Sequence, residues 1–277
     1  MKVNRYNGFK IILIGAGGTG GYIAPHLYRI AFASGCTARI IIADGDIVEE
    51  KNLIRQNFAA CDIGKNKAQV MAERYAGTFG IETEYIPDFI EDKKTLERLV
   101  DSNCYYYNSQ GPTVILIGAV DNNRSRQLCH EVFKETRNII YIDSGNGEYT
   151  GQVVCGVRKN GRTITKPVAG IYPDILQGDE KFPTELSCAE RSVSAPQSIA
   201  ANLFASTIVA SILYQLIVCG DLLVRKTTFS SMTMNSKHSC QEEVIGDGEI
   251  LCFRALFAYE KFCFICNRQY DGKAQGY

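Results

Sequence analysis

The stretch that decides the fold is Lys10-Ile11-Ile12-Leu13-Ile14-Gly15-Ala16-Gly17-Gly18-Thr19-Gly20. Its apolar run, Ile11–Gly15, reads as a strand buried on both faces, the kind found in parallel sheets. From Thr19 to Ala33 the spacing turns helical, with Ile23, Leu27, Ile30 and Ala31 on one side. Glycines between a strand and a helix permit a tight turn. They also let backbone N–H groups at the positive helix end approach phosphates. Such a loop implies a nucleotide but does not choose between a dinucleotide and a triphosphate.

Outward from the loop, strands and helices alternate. Ala38–Ala43, Glu82–Ile86, Thr113–Gly118 and Asn138–Ile142 read as strands, and Lys65–Gly77, Lys93–Val100 and Asn123–Thr136 as helices. This alternation implies right-handed crossovers and an α/β fold, a Rossmann-like, twisted and largely parallel sheet with flanking helices. After Asp143 the pattern changes. Gly151–Val157 and Arg162–Lys166 read as a hairpin around Lys159-Asn160-Gly161, because Asn-Gly suits a tight turn. Tyr172–Arg191 reads as a surface loop, Ser198–Val218 as a helix, and Lys226–Ser230 and Ile250–Arg254 as short strands of a small antiparallel extension. The expected organisation is one domain over 1–277, with 1–150 its nucleotide-binding half and 151–277 the crossover, buried helix and carboxyl-terminal strands.

Composition narrows the classes. The chain has 277 residues, 45% of them hydrophobic, enough for a full core. Lys+Arg and Asp+Glu are both 30, so no global field favours nucleic acid or an anionic membrane. Ser192–Gly220 carries no charge and is long enough to span a bilayer. It is punctuated by Asn202, Ser206, Thr207, Ser211 and Gln215, which suits a helix buried on most sides by a sheet or a second subunit. Met1–Lys10 has neither the apolar core nor the cleavage site of a signal peptide. With eleven cysteines, a reducing cytoplasm is expected, most thiols serving as small buried hydrophobes. Cys263 and Cys266 have metal-ligand spacing, half of the usual paired zinc site, with Cys240 or Cys252 as further ligands if Zn²⁺ binds.

The residues after the second strand discriminate between nucleotides. Asp44 can accept hydrogen bonds from ribose hydroxyls. Beyond it lie Asn52, Arg55, Gln56 and Lys67, and a nicotinamide enzyme has no need of that arginine and lysine. A triphosphate does need them, since its charge must be met and pyrophosphate must leave. Asp121 follows the Thr113–Gly118 strand at the carboxyl edge, where a carboxylate can hold Mg²⁺ against phosphates.

At this point the sequence resembles the ubiquitin-activating and ThiF/MoeB/HesA-type adenylating enzymes, from about Lys10 to Leu216. The motifs are GAGGTG, DGDIVEEKNLIRQNF, DIGKNKA, GAVDNNRSR, YIDSGNGEYTGQV and SCAER, in the family's order. The resemblance implies that Gly15, Gly17, Gly18 and Gly20 cradle the phosphates of ATP and that Asp44 binds its ribose. It further implies that Asn52, Arg55 and Lys67 contact phosphates, that Gln56 supports the Arg55 segment and that Asp121 holds Mg²⁺. The implied reaction is adenylation of the C-terminal carboxylate of a small ubiquitin-like (β-grasp) partner, by a homodimer, without nucleic acid or membrane. Cys188 occupies a position where members of the family carry a nucleophilic cysteine for a thioester or persulfide. Two features depart from the pattern: only Arg5 precedes the first strand as a candidate for reaching a partner subunit's ATP, and the zinc pair is half missing. The other readings are a nicotinamide oxidoreductase, an inactive scaffold subunit, and an adenylating enzyme for a small carboxylate or a modified tRNA base.

Overall fold

Strand β1 (Phe9–Ile14) lies at the centre of the sheet, and its alternation sets the layers. Phe9, Ile11 and Leu13 pack on one side with Ile23 and Leu27 of helix α1 (Gly18–Ser34) and Met71 of α2 (Lys67–Phe79). Ile12 and Ile14 pack on the other side with Leu96 of α3 (Lys93–Val100) and Leu128 and Val132 of α4 (Asn123–Glu135). The two-residue period of a strand thus divides one apolar run between two cores. The computed structural model describes residues 1–3, 5–102, 111–178, 180–185, 197–240, 242–245, 249–252, 262–263 and 268–269, with backbone only from 240 onward.

The other strands of the main sheet are β2 (Ala38–Ala43), β3 (Glu82–Ile86), β4 (Thr113–Gly118), β5 (Ile139–Asn146), β6 (Thr150–Lys159), β7 (Arg162–Thr165), β8 (Val224–Ser230) and β9 (Asn235–Cys240). The order is β3-β2-β1-β4-β5-β6-β8-β9, with β7 paired to β6. Strands β1 to β5 run parallel; β6 turns antiparallel to β5, β7 and β8. The expected α/β class and largely parallel sheet are what is observed. The sheet grows one way from β1 through β2 to β3 and the other way from β4 onward, so the gap between β1 and β4 is the switch point where open α/β sheets bind ligands at their carboxyl edge.

Several boundaries differ for local reasons. Helix α2 begins at Lys67 rather than Lys65 because Asn66 caps it, accepting from the Gln69 N–H. Strand β5 runs on to Asn146, well past Ile142, because its end pairs antiparallel with Gly151 on β6. The β6–β7 turn is as expected, with Asn160 and Gly161 both at positive φ, 52° and 76°. Strand β9, Asn-Ser-Lys-His-Ser-Cys, lacks an apolar alternation and was not expected from sequence.

The uncharged stretch forms α6 (Ile199–Tyr214), which follows the four-residue helix α5 (Val168–Ile171) and continues as a π-helical turn, Gln215–Cys219. By length and composition it is apolar enough to cross a membrane. Within this chain its burial is one-sided, against the sheet and α1; the expected burial on most sides by a sheet or a second subunit is met by the chain on that one face. Ala201, Asn202, Ala205, Val209, Ile212 and Leu213 are buried, whereas Leu203 and Tyr214 are exposed. Among the described cysteines, Cys129 and Cys155 are buried, and burial pushes both thiols up to about 12, so they behave as small hydrophobes. Cys61 and Cys219 are exposed.

The compact unit just described spans Met1–Ser239; Cys240–Tyr277 forms a second. Within the second, β10 (Glu242–Ile245) pairs antiparallel with β11 (Glu249–Cys252), and β12 (Phe262–Cys263) with β13 (Arg268–Gln269).

Candidate functional site

The glycine loop leaves β1 at the switch point. Gly15 has a φ of +91°, and a Cβ on it would come within 2.5 Å of the Ala119 carbonyl oxygen; a Cβ on Gly20 would land on the Gly15 carbonyl oxygen. Only glycines let β1, the loop and the end of β4 approach so closely. Helix α1 starts with Gly17 as its cap, with no side-chain cap and no acid in its first turn. Its amino end is suited to an anion.

On the β2 side, Asp44 is 6% exposed. Its Oδ2 accepts the Ala16 N–H at 2.6 Å and its Oδ1 the Asp46 N–H at 2.9 Å, so it braces the glycine loop. Burial raises the Asp44 carboxyl above its usual range, while the nearby Lys67 ammonium pulls it back. Asn66 ties the two segments together: its Nδ2 donates to the carbonyls of Asp44 (2.7 Å) and Asp46 (3.1 Å). That weld fixes the start of α2 and so the direction of Lys67, whose Nζ donates to Asp46 Oδ2 at 2.8 Å. Lys67 is buried although Asp46 is half exposed.

The Asn52–Gln56 segment forms a short 3₁₀ turn, Glu50–Ile54, and its exit. Asn52 is buried, with its Oδ1 accepting the Glu49 N–H at 2.8 Å in a capping box. Arg55 is half-buried and donates from Nη1 to Gln197 Oε1 at 2.9 Å. The Gln56 side chain comes up beneath Gly17 with a buried Oε1 that has no partner among the described residues. A polar end left unmade there, an uncapped helix start and two cations fit a polyanionic ligand with hydroxyls, which is the chemistry of a nucleoside triphosphate.

On the β4 side, Asp121 is exposed on the loop between β4 and α4. Arg126 holds that loop from beneath, its Nη2 donating to the Val120 carbonyl at 2.6 Å and its Nη1 to Asn123 Oδ1 at 3.2 Å. The Arg126 Nε faces Asp143 of β5 at 3.4 Å, and Asp143 also accepts from the Tyr141 hydroxyl at 3.0 Å. Asp143 is fully buried, and burial raises its carboxyl despite Arg126. Among the described residues no group of three or more His, Cys, Asp or Glu could hold a metal. A Mg²⁺ here would have Asp121 as its protein carboxylate, with phosphates and water completing the shell.

The structure therefore brings Gly15, Gly17, Gly18, Gly20, Asp44, Asn52, Arg55, Gln56, Lys67 and Asp121 to the carboxyl edge of the parallel strands. Cys188, Cys266 and the side chain of Cys263 lie outside the described residues. Sequence reasoning missed Asp46, Asn66, Arg126, Asp143, Asn146, Gln197 and Asn202. Asp46 and Asn66 sit inside the quoted DGDIVEEKNLIRQNF and DIGKNKA motifs, and a buried cation's need of an anion was the signal for Asp46.

These elements define an α/β protein with a glycine loop at the switch point of a largely parallel sheet. The chain belongs to the ThiF family, which it matches over residues 2–244. No curated protein matches its sequence. Solved structures similar to it include selenomethionine PaaA, 21% identical, with 85% of this chain and 65% of that chain covered and a TM-score of 0.57. E. coli MccB with ATP is 20% identical, covering 85% and 64%, with a TM-score of 0.57. E. coli MccB with MccA is 18% identical, covering 85% and 64%, with a TM-score of 0.58. The fold is shared across these proteins, and the present chain spans just under two thirds of their length.

Proposed function

We propose that this protein uses ATP to adenylate the C-terminal carboxylate of a small partner polypeptide, with a ubiquitin-like β-grasp protein as the first candidate. The observation that carries the reading is the approach of Arg55 to Gly18 and the burial of Lys67 beside the Asp44–Asp46 turn that braces the glycine loop, together with family membership. MccB, of the same fold, has been crystallised with ATP and with MccA, which supports a nucleotide and a separate partner.

In this reaction a carboxylate oxygen attacks the α-phosphorus. The bond from that phosphorus to the β-bridging oxygen breaks, and pyrophosphate leaves with the electron pair. The backbone N–H groups at the start of α1 bind the phosphates, and Asp44, whose oxygens already accept the Ala16 and Asp46 N–H groups, takes the ribose hydroxyls on its remaining lone pairs. Arg55 and Lys67 offset the charge that grows on the transferring group; such contacts are typically worth ~3 kcal/mol each. Lys67 changes partner as it does so, from Asp46 to phosphate. Mg²⁺, when bound, neutralises phosphate charge beside Asp121. A later step belongs to the same proposal: the Cys188 thiolate attacks the acyl-adenylate, forming a thioester and releasing AMP. So does a cytoplasmic homodimer.

The test is ATP–pyrophosphate exchange with a candidate partner, repeated with Asp121→Ala and Lys67→Ala. Partner-dependent exchange that either substitution abolishes is expected. Exchange indifferent to both, or binding of NAD in place of ATP, overturns the proposal.

A further inference from the structure

A closed ring of hydrogen bonds joins four separate elements beside the glycine loop. Thr19 Oγ1, at the start of α1, donates to Asn146 Oδ1 at the end of β5 (2.8 Å). Asn146 Nδ2 donates to Asn202 Oδ1 on α6 (2.9 Å), and Asn202 Nδ2 to the Arg55 carbonyl (3.5 Å). Arg55 Nη1 donates to Gln197 Oε1 just before α6, and Gln197 Nε2 to the Asn146 carbonyl (3.5 Å). Thr19 Oγ1 also lies 3.4 Å from Asn202 Oδ1.

Asn202 is the hub, wholly buried in a helix without a charged residue. A buried amide left unpaired is costly, so its satisfied state demands that all four elements keep this arrangement. Gly18 adds an independent constraint. A Cβ there would lie 2.5 Å from Asn202 Nδ2 and 3.0 Å from Arg55 Nη1. The loop backbone therefore rests against both side chains, and an anion held by the loop lies within reach of the Arg55 guanidinium.

We infer that Asn202 and Asn146 are positioning residues for Arg55, and that Gln197 is the partner from which Arg55 is released when a triphosphate arrives. This rests on the nucleotide reading above. The ring holds the glycine loop and the arginine in one frame, so the charge that meets the phosphates is set before the ligand binds.

Two measurements test it. Without nucleotide, Asn202→Ala is expected to speed amide hydrogen exchange in segments 15–21 and 52–57 while leaving β3 unchanged; uniform acceleration, or none, overturns the inference. With ATP·Mg²⁺, calorimetry on wild type, Asn202→Ala, Arg55→Ala and the double variant forms a cycle. Asn202→Ala should weaken ATP about tenfold in the wild-type background, the size of one charge-assisted contact, and less than about twofold when Arg55 is alanine. Equal weakening in both backgrounds means that Asn202 does not act through Arg55, and the inference falls while the nucleotide reading stands. Wild type that binds no ATP overturns both. Gln197→Ala should leave ATP affinity unchanged or raise it; a loss as large as that of Arg55→Ala overturns its assigned role. Should Asn202→Ala fail to fold, Asn146→Ala, at a half-buried position, carries the same expectations.

Discussion

Two acid–base pairs flank the glycine loop, built alike but used differently. Each sets a buried carboxylate on a strand or at its end, Asp44 after β2 and Asp143 on β5, near a buried cation on a following or preceding helix, Lys67 of α2 and Arg126 of α4. Arg126 directs its donors into framework groups: Asp143, Asn123 and the Val120 carbonyl. Lys67 instead holds Asp46, a half-exposed carboxylate that a phosphate could replace. The difference follows from the side chains. A planar guanidinium with five donors suits a rigid lattice, whereas a compact ammonium on a flexible stem can change partner. The β4 side is therefore frame and the β2 side tool.

The largest expected effect comes from breaking the frame. Arg126→Ala leaves Asp143 buried without its cation and should cost about 3–5 kcal/mol of stability, read from urea denaturation. A loss below about 1 kcal/mol would mean that Asp143 is neutral, and the contrast between the two pairs would fail. Lys67→Ala should behave in the opposite way. Pyrophosphate exchange should fall about 10²–10³-fold, the scale of a lost transition-state donor, with a stability loss smaller than that of Arg126→Ala. A stability loss matching Arg126→Ala, with exchange preserved, would make Lys67 frame as well.

The two sides were not equally legible. Strands β1, β2 and β4 announce themselves as apolar runs, and the glycine loop with Asp44, Arg55 and Lys67 lies in contiguous motifs. Local sequence suffices for those because each feature sits on one element. The Arg126–Asp143 pair joins residues on different elements, and Arg126 in an amphipathic helix reads as one more surface charge. Asn202 was visible only as a polar interruption of an apolar helix. Its partners Thr19, Asn146 and Arg55 come from three distant parts of the chain, and no spacing rule connects them. One-sided burial of α6 is hidden for a similar reason: a helix apolar all round gives no periodicity to show which face meets the sheet.

Acid separates the two sides by sign. Asp62, in the turn before α2, is buried, which alone would raise its carboxyl; the Ala59 N–H and the Arg74 guanidinium outweigh that and hold it below the usual carboxylate range. A depressed carboxyl contributes stability that is present above the unfolded value, near pH 4, and is lost as pH falls through the folded value. Asp143, raised by burial, runs the other way: its penalty for ionising disappears as pH falls. Wild type should therefore lose its advantage over Asp62→Asn between pH 5 and pH 2, measured as the gap in urea midpoints. A gap that stays constant over that range would show that the Asp62–Arg74 pair does not anchor the Lys67 side.

The smallest expected effect tests the tool most directly. Asp46→Asn removes the resting charge opposite Lys67 but keeps the backbone bonds of Asp46, whose carbonyl accepts from Asn66 Nδ2 and the Lys67 N–H. Because Asp46 is half exposed, the loss in stability should be no more than ~1 kcal/mol. If Lys67 must leave Asp46 to meet phosphate, ATP should bind as tightly or tighter in the variant, by calorimetry, since one competing anion is gone. If Asp46 instead aims Lys67 in the bound state, affinity should fall along with exchange. The sign of that change decides whether the ion pair is a resting state or part of the working site, which the β4 pair, with both charges inside the frame, cannot reveal.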